Sequence, residues 1–552
     1  MPEESEASRG RRRPLVLLLA LGAILRLVYL LDFRAHSLYW DTMLLDARVY
    51  DSWARRIAGG DLWGGAAPYP LPPLYPYLLA GVYRLLGSRY VVVYLLQAVL
   101  GLVNVGLVWR LGCVLINRRA GMVAALLTLG YGPILFMETK LLNTTLGLTV
   151  FLALLLALLS AAKRHRLRDW LAPGVLLGLL ALVRPESLLM AAGILLWMLC
   201  RAGRGWAPAL VFLLGLGAIL APVAARNVLV AGGEWSPGLL ISSQGPVTFY
   251  QGNNARAAGL YVSLAREGFS GDPFRQAEES REVAQRRLGR PLTLAGTGRY
   301  WLGRALSWIL RHPADYLALE AKKMARFFGS CEYSTEYIFR LERENVHSLW
   351  LVSLPFGVLA ALGLMGWAGR RDRRDPGMSL LMTLLLCNLA GAMLFYVSSR
   401  YRMPAAAVLI LLAASFLERA WRHDSGRTVI GQAAGVILLA LLFQVPIDTR
   451  HRAQEASAHA NAGSLRYDRG EYAAALDEYR KAAHLEKKFA RAYLGQGLAL
   501  EALGRREEAL AAYRRALRLD GRMQAARQGT RRLQAVVRAP AGEVSGEDRS
   551  SR

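Results

Sequence analysis

The sequence predicts an all-α protein in which a polytopic helical membrane domain of about 11 spans precedes a small C-terminal α-solenoid. Three observations carry that expectation. Hydrophobic residues make up 54% of the 552-residue chain, and they arrive in long runs. Residues 14–31, 91–109, 141–162, 207–230, 349–368 and 379–397 are each almost free of charge for 18 residues or more. A helix needs roughly 20 apolar residues to cross a ~30 Å hydrocarbon core. Charge clusters separate the runs, and after residue 447 the chain turns into charged, alanine-rich sequence that repeats. A cytosolic globular chain would scatter its apolar residues at core periodicity. A membrane β-barrel would alternate polarity in segments of about ten residues.

Charge sets the topology. Lys and Arg number 68 against 41 Asp and Glu, a net +27, and only seven of the 68 are Lys. Basic clusters lie at 9–13, 110–119, 163–168, 201–204, 370–374 and 419–427, whereas Lys140, Arg184, Arg400 and Arg402 stand apart in short intervening loops. The positive-inside rule places the clusters on the cytoplasmic side, and it accounts for the basic excess without nucleic acid. Residues 69–86 contain Pro70, Pro72, Pro73 and Pro76. They cannot span without exporting Arg118 and Arg119, so they read as an interfacial helix entered through a proline turn. Residues 170–183 and 187–200 are short, but the loops on both sides are basic, so the pair must span together.

Residues 1–13 therefore form a cytoplasmic basic tail that leads into a retained signal-anchor helix, since no small-residue cleavage site follows. The membrane domain runs over 14–446, with external loops at 32–89 and 226–347. Of Cys113, Cys200, Cys331 and Cys387, only Cys331 falls outside, so no intrachain disulfide is expected there.

In the tail, Gly470-Glu-Tyr-Ala-Ala-Ala-Leu-Asp-Glu-Tyr-Arg-Lys-Ala482 realigns with Gly504-Arg-Arg-Glu-Glu-Ala-Leu-Ala-Ala-Tyr-Arg-Arg-Ala516 at an offset of 34. Ala475/Ala509, Leu476/Leu510, Tyr479/Tyr513 and Ala482/Ala516 match in register. Small residues at helix crossings and aromatics in the gaps, at this period, are the tetratricopeptide signature. The repeat domain is expected over 455–537, with helices at 456–469 and 490–503, a capping helix at 523–537 and a disordered tail over 538–552. Two repeats are few for independent stability, so the stack is expected to lean on the membrane domain. Its concave face offers docking for a protein partner; a folded spacer is the alternative.

Chemistry falls to charged residues on the outer side, because no Gly-x4-Gly-Lys-Ser/Thr, His-Glu-x-x-His or paired cysteine motif occurs. Asp46 and Tyr50 are four apart and share a helix face; on local sequence Asp46 caps a short helix. Glu138 stands at the outer end of the third span, two residues before Lys140, and reads as half of an interfacial snorkelling pair. Arg184 lies in the Val183-Arg-Pro-Glu186 turn. Arg400, Tyr401 and Arg402 lie in Ser399-Arg-Tyr-Arg-Met-Pro404. Each arginine alone suits snorkelling to headgroups. Together with Lys140 they form a basic ring facing an anionic ligand, for which the guanidinium fork is suited. Residues 301–328 are amphipathic and basic, as in a helix lying on the bilayer surface. Glu332, Glu336 and His347 show no ligand spacing and read as solvated or structural.

Asp46-Ala-Arg-Val-Tyr50, Ala54…Ile57-Ala-Gly-Gly-Asp61 and Pro72-Pro-Leu-Tyr-Pro-Tyr-Leu-Leu-Ala80 resemble the first-loop region of integral-membrane C-type glycosyltransferases of the protein O-mannosyltransferase-like and aminoarabinose-transferase-like kind. Arg184-Pro-Glu, Gln251-Gly-Asn-Asn254…Gly259 and Tyr401-Arg-Met-Pro404 are similar too. The resemblance extends over about residues 14–420. It implies transfer of a sugar from a polyprenyl-phosphate carrier to an acceptor on the non-cytoplasmic face. It also implies catalytic roles for Asp46 and Glu138 and phosphate binding by Arg184 and Arg402, with Lys140 and Arg400 beside them. The first loop carries Asp46-Ala where many relatives carry an Asp-Glu pair, which removes one acid from a metal site there. No cofactor follows from the residues; a divalent cation is the one candidate, without assigned ligands.

The physics runs the same way. An outward-facing site has no access to cytosolic nucleotide sugars, so an activated donor must be lipid-linked. Its phosphate leaving group needs charge stabilisation, and an acceptor hydroxyl needs a base, for which an ionised Asp46 is suited. Single displacement would invert the anomeric centre. Tyr50 can orient Asp46, stack on sugar, or serve as an ordinary interfacial aromatic. The expected partners are thus the lipid-linked sugar, a protein, lipid or glycan acceptor, membrane lipid and a protein on the repeats, all at a bacterial inner membrane. Two other classes fit part of the sequence: a non-catalytic anchor presenting the repeats to an envelope complex, and a lipid-linked-saccharide transporter or ligase.

Overall fold

Each long apolar run forms a helix, because backbone groups in hydrocarbon must be satisfied within their own segment. The computed structural model describes residues 2–201, 206–334, 336–369, 375–422, 426–445 and 450–538, and its regular elements are all helical. Two compact units result: Met1–Ser334 with Glu342–Ile447, and Thr335–Leu341 with Asp448–Arg552.

In the first unit, Arg13–His36, Tyr90–Leu115, Thr144–Arg164, Ala207–Val230, Pro376–Leu394 and Ser399–Trp421 are long and apolar enough to cross a membrane, and Pro185–Cys200, Phe356–Ala368 and Gly431–Gln444 are shorter apolar helices. The expected count of about 11 spans is not confirmed among the described residues, for local reasons. The expected third span, which ends at Glu138, breaks at Tyr131 into Arg118–Gly130 and Gly132–Met137, where Tyr131 leaves the helix to bridge Ser353 and Pro133 opens the second piece. Residues 170–183 form a single 3-10 turn, Leu167–Trp170, and a 13-residue helix, Leu171–Val183, only ~20 Å long. The basic cluster at 370–374 lies outside the described residues, as does 539–552 of the expected tail. The expected tail at 1–13 begins the one helix Pro2–His36. The amphipathic stretch 301–328 is two helices, Leu294–Arg311 and Pro313–Phe328, since Pro313 disfavours helical backbone at His312.

Among spans in lipid, small residues let backbones approach and dispersion contacts form. A Cβ on Gly174 would sit 2.0 Å from the Phe212 carbonyl oxygen, and one on Gly366 would sit 2.1 Å from that of Leu412. Through the second contact, Phe356–Ala368 packs on Met403–Trp421, in which every residue from Ala405 to Phe416 is buried, so the helix is covered on all faces. This helix is the centre of the unit. Its first turn, Ser399–Arg402, carries the arginines that the sequence singled out.

The expected interfacial helix is Leu74–Leu86, entered through Pro70–Pro73, and it buries Tyr75, Leu79 and Tyr83. The long segment 226–347 has a small core of its own around Trp301, with Val247, Tyr250, Phe269 and Val283.

The second unit holds Arg450–Asp468, Tyr472–Leu485, Ala490–Ala502, Arg506–Leu519 and Gln524–Arg538. The repeat aromatics fill glycine gaps: Tyr479 lies against Gly463 and Gly495, and Tyr513 against Gly497 and Gly529. Ala475, Ala482, Ala509 and Ala516 are fully buried at the crossings.

Candidate active site

Three short segments converge on one cavity. The helix Leu45–Ala58 brings Asp46 and Tyr50, the turn after Leu171–Val183 brings Arg184, and Ser399–Arg402 brings Arg400 and Tyr401. Pro70–Pro72 and Ser242–Thr248 add one wall, and Leu148, Leu180, Met190 and Ala392 add an apolar one. The cavity holds about 1240 Å³ of space, its open mouth included.

Asp46 does not cap its helix. Leu44 holds that position without a side-chain bond, and Leu45 takes a φ of +37°, a strained backbone for a residue with a Cβ. The Asp46 carboxylate instead accepts a 2.8 Å bond from Arg400. Arg184 donates to the Thr144 hydroxyl and the Arg400 carbonyl, both at 3.1 Å, and lies 3.6 Å from Glu186. The Tyr401 ring faces both cations, 5.0 Å from Arg184 and 5.4 Å from Arg400. Tyr50 accepts from Asn143, whose amide also donates to the Val183 carbonyl. Burial, then the Asp46 charge, lifts the Tyr50 phenol far above its ordinary range, against the pull of Arg400 and Arg184. Tyr50 therefore stays a neutral hydroxyl.

The other singled-out residues stand elsewhere. Glu138 is 2% exposed and bonded to Arg26 at 2.6 Å, not snorkelling with Lys140. Lys140 sits 4.2 Å over the Phe33 ring and 3.7 Å from Glu342. Arg402 is fully buried and pairs with Glu332 at 2.8 Å. It also donates to the carbonyls of Gly329 and Cys331, both at 2.8 Å, which ties off the end of Pro313–Phe328. None of the three lines the cavity. Among the described residues no three His, Cys, Asp or Glu side chains converge as a metal site.

Sequence reasoning missed the residues that hold the walls. Arg226 donates to the carbonyls of Trp63, Gly65 and Ala67 and stacks on Tyr69. Asn227 accepts from the Tyr69 amide and donates to the carbonyls of Leu239 and Ile241. The pair thereby fixes both strips just before they reach the cavity. The signal was a charge at the end of the apolar run 207–230, since such residues seek specific partners. On the other side Asn253 donates to the Leu394 carbonyl and accepts from buried Lys323, which anchors the chain leading to Arg400.

No curated protein matches the chain. Among solved structures it resembles the archaeal oligosaccharyltransferase AglB from Archaeoglobus fulgidus in complex with an inhibitory peptide and a dolichol-phosphate, at 15% identity and a TM-score of 0.44, over 83% of this chain and 59% of that one. It also resembles ArnT from Cupriavidus metallidurans bound to undecaprenyl phosphate, at 15% identity and a TM-score of 0.42, over 91% of this chain and 80% of that one. The chain thus spans 59% of the length of the oligosaccharyltransferase. The tetratricopeptide repeat model matches residues 490–522, and the family model described as dolichyl-phosphate-mannose-protein mannosyltransferase matches residues 71–227. Over residues 71–227 the chain is thus similar to the dolichyl-phosphate-mannose-protein mannosyltransferases, and over 490–522 to tetratricopeptide repeats.

Proposed function

We propose that the cavity transfers a sugar from a polyprenyl-phosphate donor to an acceptor hydroxyl on the periplasmic face of a bacterial inner membrane. One observation carries the reading: a carboxylate, Asp46, and two cations, Arg184 and Arg400, meet in a cavity whose other wall is apolar. A ligand with an anionic head and a hydrocarbon tail satisfies both walls at once, and the family match over 71–227 supports the same chemistry.

In this mechanism the donor phosphate draws Arg400 away from Asp46 and is held by Arg400 and Arg184, whose forks suit phosphate oxygens. The freed Asp46 carboxylate accepts the proton of the acceptor hydroxyl. That oxygen bonds to the anomeric carbon as the carbon–phosphate oxygen bond breaks, and the electron pair leaves on the phosphate, where the guanidinium groups stabilise it. One displacement inverts the anomeric centre. The repeats offer a surface on which a protein acceptor or partner docks.

The test is transfer from a panel of radiolabelled polyprenyl-phosphate sugars in membranes, wild type against Asp46→Asn, with expression and insertion of both verified. Transfer by wild type that is lost in Asp46→Asn supports the enzyme and its base. Transfer that survives the substitution removes Asp46 from the role, and no transfer from any donor by wild type removes the enzyme.

A further inference from the structure

Two buried polar atoms on the cavity wall are left over. Asn388 belongs to Pro376–Leu394, and its amide nitrogen donates to the Tyr401 carbonyl at 3.1 Å. That bond fixes which way the amide faces, and its oxygen is buried without a hydrogen-bond partner among the described residues. Ser187 follows Arg184 in the turn Pro185–Leu188. It is 3% exposed, and its hydroxyl also lacks a partner there. Both residues line the cavity. Several other cavity hydroxyls have partners: Thr144 accepts from Arg184, Tyr50 accepts from Asn143, Thr248 donates to the Gln244 carbonyl, and the Tyr401 hydroxyl lies 3.5 Å from that of Tyr396.

We infer that Asn388 and Ser187 form a subsite that reads hydroxyl groups of the sugar on the bound donor. The inference rests on the transferase reading of the cavity. The Asn388 oxygen can only accept. A phosphodiester head has no proton to give it, and neither has a hydrocarbon tail, but a sugar hydroxyl has. The Ser187 hydroxyl both donates and accepts, so it suits an adjacent hydroxyl of the same ring. A buried polar atom without a partner costs free energy that a ligand's hydrogen bond recovers. The division of labour is then chemical: Arg184 and Arg400 recognise the charge shared by every polyprenyl-phosphate donor, and Asn388 and Ser187 distinguish one sugar from another.

Equilibrium binding of lipids to the full chain in nanodiscs tests this without requiring turnover. The probes are bare undecaprenyl phosphate and the same lipid carrying each of a panel of hexoses and pentoses. Wild type should bind one sugar-bearing lipid more tightly than the bare one. Asn388→Leu and Ser187→Ala should each weaken that lipid about tenfold while leaving the bare lipid within about twofold. A deoxy analogue lacking the recognised hydroxyl should bind wild type and variant alike. Ser187→Ala removes only an unpartnered hydroxyl, so it keeps the test open should Asn388→Leu free the Tyr401 carbonyl and misfold. Equal losses for both lipids, no loss for either, or no preference by wild type would overturn the subsite and leave the phosphate site standing. If wild type binds neither lipid, the transferase reading falls with it.

Discussion

The Asp46 carboxylate and the Arg400 guanidinium are joined by a 2.8 Å hydrogen bond across 354 positions of sequence. Each holds the other's charge, and the proposed mechanism requires the pair to separate when the donor phosphate binds Arg400. Arg400→Gln should therefore raise the donor KM and lower kcat/KM by about 10²–10³. Arg400→Lys, which keeps the charge without the fork, should lose less. Initial rates of transfer against donor concentration, with acceptor saturating, measure both. An unchanged donor KM in Arg400→Gln would leave the pair a purely structural one.

The cavity wall made by Pro70–Pro72 and Ser242–Thr248 depends on Asn227. Its one side chain satisfies the Tyr69 amide and the carbonyls of Leu239 and Ile241. Asn227→Ala leaves three buried backbone groups open, at about 1–3 kcal/mol for each that water does not reach. Hydrogen exchange at residues 62–72 and 239–248 should rise in Asn227→Ala and remain unchanged on the Met403–Trp421 helix. Equal protection of both strips in wild type and variant would show that the strips hold without the clamp.

Glu138 and Arg26 form a buried pair, at 2% and 4% exposure. Removing one partner strands the other's charge, so Glu138→Gln or Arg26→Met alone should destabilise by about 3–5 kcal/mol. Arg26→Met with Glu138→Leu should recover most of that loss. Thermal unfolding in detergent gives the comparison. The part of each single variant that remains folded should still transfer sugar, because neither residue lines the cavity; a folded but inactive Glu138→Gln would restore Glu138 to the chemistry.

The sequence shows clearly what local periodicity controls. The 34-residue offset places Tyr479 and Tyr513 correctly, and the structure seats each between two glycines of neighbouring helices. Asp46 and Tyr50 share a helix face as their spacing requires, and both reach the cavity. What was illegible is tertiary. Nothing local distinguishes Arg400, which lines the cavity, from Arg402, two residues on and buried under Phe356 and Glu332. Nor does the apolar stretch before Glu138 reveal its break, since Tyr131 leaves the helix to meet Ser353, more than two hundred positions away. Charge partners such as Arg26 for Glu138 lie on different helices, and periodicity carries no information about which helices adjoin.

The segment packed around Trp301 gives a pH test of its own. Glu267 accepts from Arg304 at 3.0 Å and from Arg287 and Tyr250. Burial alone would raise its pKa, but the bonds and charge of Arg304, with Arg287, hold the carboxyl below its ordinary value. A carboxylate with a depressed folded pKa contributes stability that is complete above its unfolded value of about 4.3 and is lost as pH falls through the lower folded value. Cleavage within 245–305 by pepsin should therefore be slow at pH ~4.5 and accelerate toward pH ~2. Glu267→Gln, which cannot ionise, should be cut faster at pH ~4.5 and respond less to further acid. Identical pH profiles for the two proteins would mean that Glu267 does not hold this segment on the Trp301 core.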